Sequence, residues 1–81
     1  MARYSKETRR SPEQVLERAL SFFGPAGMGM KVEEQNACCL RLVGGGGYVL
    51  IQVGVAESGR TSVILETREW DYQAVQFLET L

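Results

Sequence analysis

Cys38-Cys39-Leu40-Arg41-Leu42-Val43-Gly44-Gly45-Gly46-Gly47-Tyr48-Val49-Leu50-Ile51-Gln52-Val53-Gly54-Val55 is the stretch whose reading decides the fold. Its apolar residues recur at every second position, the period of an extended strand. Cys38, Leu40 and Leu42 fall on one face of the first run, with Cys39, Arg41 and Val43 on the other. Gly44 to Gly47 supplies a hairpin turn. Beyond it Val49, Ile51, Val53 and Val55 share a face opposite Tyr48, Leu50, Gln52 and Gly54. Two strands joined by so short a glycine turn must run antiparallel.

The same period extends outward in both directions. Met30, Val32 and Glu34 share one side of a short preceding strand, closed by Gln35-Asn36, and Glu33 and Glu34 point to opposite sides of it. After a Glu57-Ser58-Gly59 turn, Thr61, Val63, Leu65 and Thr67 alternate with Ser62, Ile64 and Glu66. Ser11-Pro12-Glu13-Gln14 is a helix start: Ser11 caps, Pro12 fits the first position, and Gln14 completes a capping box. Val15, Leu16, Ala19, Leu20 and Phe23 then form one apolar face up to Gly24-Pro25. Gly24 to Gly29 reads as a flexible loop. At the other end Trp70, Ala74, Phe77, Leu78 and Leu81 predict a second amphipathic helix, with Glu69 and Asp71 suited to its positive end. Arg3 to Arg9 has no helical stripe. It fits an edge strand with Tyr4, Lys6 and Thr8 on one side, or a frayed arm. The expected fold is a single α+β domain over residues 1–81: an antiparallel sheet of four or five strands with two helices on one face, in the order β-α-β-β-β-β-α.

Composition narrows the function classes. The chain has 81 residues, 44% apolar and 23% charged, with a formal net charge of −1. Those values describe a globule rather than a disordered segment. Arg3, Lys6, Arg9, Arg10 and Arg18 give residues 1–18 a net +2, and the remainder is net −3, too mild an asymmetry for a strong nucleic-acid footprint. The longest apolar run, Tyr48 to Ile51, cannot span a bilayer, so no membrane partner is expected and a cytoplasmic location is the default. Cys38 and Cys39 are adjacent and point to opposite faces of a strand, which favours two free thiols over a disulfide.

Chemistry has little to work with. There is no histidine, which removes the commonest general base and metal ligand. Lys31 or Arg41 alone would have to activate a cysteine nucleophile. The glycine run at 44–47 leads into a strand with no following Lys, unlike a phosphate-cradling loop. Neither catalysis, a cofactor nor a metal is expected.

The polar first segment running into Arg10-Ser11-Pro12-Glu13-Gln14-Val15, the glycine-punctuated meander, and a last helix opened by Trp70-Asp71-Tyr72 together resemble the TATA-binding-protein-like arrangement. They also resemble a shortened helix-grip fold of the START-like, polyketide-cyclase-like lipid-binding proteins. The likeness is one of topology. It implies the architecture, while the deep ligand cavity of helix-grip proteins needs a longer chain. Separately, the Trp70-Asp71-Tyr72 helix start allows a small-ligand site between helix and sheet, with Tyr72 at its lip.

The two predicted sheet faces differ. One is almost wholly apolar and belongs under the helices. The other mixes Cys39, Val43, Tyr48, Leu50 and Ile64 with Arg41, Gln52, Ser62 and Glu66, which is more apolar than a solvated face needs to be. Cys39, Arg41, Val43, Tyr48, Leu50, Gln52 and Ile64 are therefore the candidate interaction face. A homodimer is the expected partner arrangement. The alternatives are a nucleic acid bound by this face with the basic N-terminal segment, or a small apolar ligand.

Overall fold

A computed structural model describes residues 1–81. Its elements run β1 (Ala2–Thr8), α1 (Pro12–Phe23), β2 (Lys31–Gln35), β3 (Cys39–Gly44), β4 (Gly47–Val55), β5 (Thr61–Arg68) and α2 (Asp71–Glu79). All five strands join one antiparallel sheet in the order β1-β5-β4-β3-β2. The first segment is an edge strand, paired with β5 over its whole length from Ala2↔Thr67 to Thr8↔Thr61.

Local chemistry sets the boundaries. Ser11 Oγ accepts from Gln14 N at 3.1 Å and Gln14 Oε1 accepts from Ser11 N at 3.0 Å, so the capping box is formed in full. Gly45 and Gly46 both adopt positive φ (57° and 78°), the type I′ geometry that matches the twist of a two-residue hairpin. Trp70 lies over this turn. Its indole Nε1 donates to Gly44 O at 2.9 Å, and a Cβ built on Gly45 would stand 3.1 Å from its Cζ2. Trp70 therefore precedes α2 as its N-cap residue instead of opening its first turn. The Gly24–Gly29 segment is a tight wrap and not a flexible loop. Four backbone bonds of 2.9 Å close it, from Gly27 and Gly29 N to Gly24 O, Met28 N to Phe22 O, and Met30 N to Phe23 O. A side chain at Gly27 would collide with Phe22 O at 2.2 Å, which is why glycine stands there.

Both helices cover the same sheet face, α1 against β3 and β4, α2 against β1 and β5. Val15, Ala19, Phe23, Leu40, Leu42, Val49, Ile51, Val63, Leu65, Ala74 and Phe77 are buried there in one cluster with Met30 and Leu78. Alternation places Val55 on this covered side, but it lines a cleft beside the start of α1 and is 79% exposed. The inward side of β1 also fixes α2. Tyr4 OH donates to Asp71 Oδ2 at 2.9 Å, Lys6 Nζ to Leu78 O at 2.8 Å, and Thr8 Oγ1 to Leu81 O at 3.0 Å. A lysine on the last carbonyls complements the negative end of the helix.

Two further expectations fail. Cys38 and Cys39 form a disulfide and neither thiol is free. The reason is that β3 begins only at Cys39. Cys38 lies in the preceding bend, its N–H held by Asn36 Oδ1 at 3.0 Å, so strand alternation does not separate the two side chains. The register of β2 also shifts between Val32 and Glu34. That bulge brings Glu33 and Glu34 both against Arg41, Glu34 as its register partner and Glu33 through a carboxylate contact, where simple alternation would oppose them.

Candidate functional site

The open sheet face can be read row by row from the strand register. Val43 stands opposite Tyr48, and Tyr48 opposite Arg68. Arg41, Leu50, Glu66 and Arg3 make the next row, and Cys39, Gln52, Ile64 and Ser5 the one after it. The structure thus brings together Cys39, Arg41, Val43, Tyr48, Leu50, Gln52 and Ile64 on one surface free of helices. All but the exposed Gln52 are half-buried among their neighbours.

The polar groups of this face are joined to one another. Arg41 Nε donates to Glu33 Oε1 at 2.6 Å, and its guanidinium carbon lies 4.7 Å from the centre of the Tyr48 ring. Tyr48 OH donates to Glu66 Oε2 at 2.7 Å. That acceptor carboxylate holds the Tyr48 phenol above its ordinary pKa of 10.0, because ionisation would break the bond and set two negative charges side by side. The chain Glu33–Arg41–Tyr48–Glu66 crosses four strands and flanks Leu50. It gives the apolar residues a fixed frame of polar contacts.

Tyr72, the candidate ligand lip, is 72% exposed and receives a bond from Gln76 Nε2 at 3.3 Å. It lines none of the three surface cavities. One of these, about 490 Å³, runs between α1 and α2 past Arg18, Phe22 and Phe77. A shallow groove of about 220 Å³ follows Tyr4, Lys6 and Val75. The third, about 630 Å³, opens at the start of α1 between Arg9, Arg10 and Arg60.

The basic N-terminal residues do not act as one patch. Lys6 turns inward to α2, Arg3 sits on the open sheet face, and Arg9 and Arg10 line the third cavity. Sequence reading overlooked Arg60 beside them. The signal was present: pairing Thr8 with Thr61 obliges the residues after one to meet those before the other.

No protein-family model, no curated protein and no solved structure matches this chain. No helix is long and apolar enough to cross a membrane.

Proposed function

We propose that this domain is a non-catalytic interaction module that self-associates through its open sheet face. The observation that carries the reading is the continuous Val43–Tyr48–Leu50–Ile64 surface, framed by charges of both signs. Arg3 and Arg41 stand in one row with Glu66, Glu33 contacts Arg41, and Arg68 ends the row of Tyr48. A two-fold axis lying in the plane of the interface packs this face on its own copy, and a face carrying charges of both signs suits such self-pairing. A polyanion would meet as many acids as bases, so nucleic acid fits less well.

Size agrees with this. Five strands about 4.8 Å apart and up to nine residues long offer a pleated face of several hundred Å², on the order of the roughly 800 Å² per partner that a specific interface buries. The β1-β5-β4-β3-β2 order with both helices on one side also supports the likeness to folds that use the sheet's other side.

Light scattering at high micromolar concentration tests the reading. The expected particle has twice the 9.0 kDa chain mass. Leu50→Lys should give a folded monomer, since it sets a charge in the middle of the seam. A clean wild-type monomer at that concentration overturns the proposal.

A further inference from the structure

We propose that the cleft between the start of α1 and the β4–β5 turn binds a small ligand through a phosphate group. The walls are Arg9, Arg10, Ser11, Pro12 and Gln14 on one side, and Val55, Ser58, Gly59, Arg60 and Thr61 on the other. Its volume of about 630 Å³ lies within the range of small-molecule sites.

Charge is the first argument. Three guanidinium groups line one concavity, and no carboxylate does. The nearest acids are occupied or turned away. Glu7 accepts from Ser58 Oγ at 2.8 Å, while Glu13 and Glu57 are exposed and do not line the cleft. None of the three arginine side chains donates to any protein acceptor, as is true also of Arg3 and Arg68, but only these three share one concavity. The Nε of Arg10, like that of Arg18 between the helices, is buried with no partner. A buried donor without an acceptor is costly, and three like charges left unneutralised repel one another. One bound dianion removes both penalties. Arginine's planar fork matches phosphate oxygens two at a time, which a halide or a monocarboxylate cannot exploit across three residues.

Rigidity is the second argument. Thr61 Oγ1 donates to Arg10 O at 2.6 Å and Arg10 N donates to Thr8 Oγ1 at 3.3 Å, fixing the Arg10 backbone against β5. Ala56 N to Arg60 O at 2.8 Å and Arg60 N to Ser58 Oγ at 3.3 Å fix the opposite wall. The arginines thus project from a prearranged frame, which lowers the ordering cost of binding. The helix end itself adds little. Pro12 has no N–H, and the Gln14 N–H is already taken by Ser11 Oγ. Ser11 retains its hydroxyl proton as a further donor.

The test is an amide NMR titration with sodium pyrophosphate and inorganic phosphate at constant ionic strength, balanced with chloride. Saturable shifts confined to residues 9–14 and 58–61 are expected. Arg60→Gln, on an exposed turn, should weaken binding about tenfold while leaving the melting temperature unchanged, and Lys31→Gln, exposed on the far edge strand, should leave binding unchanged. Shifts that do not saturate overturn the proposal, as does undiminished affinity in Arg60→Gln. A short single-stranded oligonucleotide that binds these arginines without competition from pyrophosphate also overturns it, by assigning the cleft to nucleic acid.

Discussion

The two faces of the sheet are built from alternate residues of the same strands, yet they are assembled on different principles. On the covered face Val49, Ile51, Val63 and Leu65 are fully buried, and apolar contact does the stabilising. On the open face Leu50 and Ile64 are only half-buried, and a chain of polar contacts from Glu33 through Arg41 and Tyr48 to Glu66 fixes the side chains around them. The difference teaches that strand alternation settles which residues share a face but not how that face is completed. One side is closed by the chain's own helices. The other is ordered and still reachable.

Truncating neighbouring residues of β4 gives the largest separation between the faces. Ile51→Ala should cost about 2–5 kcal/mol, because it opens a cavity in a close-packed core. Leu50→Ala should cost about 1 kcal/mol or less in the dilute monomer, where water already reaches the site. Denaturant unfolding of both variants at low protein concentration checks this. Similar losses would break the contrast, and a Leu50→Ala loss that grows with protein concentration would sharpen it into evidence of a partner on the open side.

A smaller effect is expected one strand over. Thr67 is buried on the covered face, and its Oγ1 donates to Tyr48 O at 2.8 Å. Thr67→Val keeps the shape and removes that bond, for a loss of about 1 kcal/mol in the same assay. No loss would mean that shape alone holds this edge of the core.

How much of this was legible in the sequence follows the same division. The period of two from Met30 to Thr67 marked the four strands β2 to β5 and, Val55 apart, the inward residues of β3 to β5, because burial imposes alternation directly. The Ser11 capping box was equally readable, since its partners lie three residues apart. The edge strand β1 was ambiguous because its inward residues Tyr4, Lys6 and Thr8 are polar. They face in to bind α2, and only that distant contact explains them. The bulge at Glu33 and the disulfide at Cys38 were missed for one shared reason. Each depends on where a strand starts or slips, which hydrophobic periodicity does not record. On the open face, membership of each residue was readable while its hydrogen-bond partner was not. The Arg9–Arg10–Arg60 cleft required β1 to be placed beside β5 before its parts could meet.

The finest distinction between the faces is spectroscopic. Tyr48 on the open side and Tyr4 at the edge of the covered side both donate to a carboxylate, Glu66 and Asp71 respectively, and both phenols are held above their ordinary value of 10.0. For Tyr48 the hydrogen bond to Glu66 is the leading cause, with Arg41 and Arg68 opposing it. A phenol raised on folding contributes stability that is fully present below its unfolded pKa and is lost as pH rises through the folded one. Glu66→Gln removes the negative charge, so the Tyr48 transition in a 295 nm absorbance titration should move down toward 10 while that of Tyr4 stays in place. Movement of both would show that the faces communicate through β5, which joins the two sites. Movement of neither would remove the Tyr48–Glu66 bond from the frame of the open face and leave Arg41 as its main support.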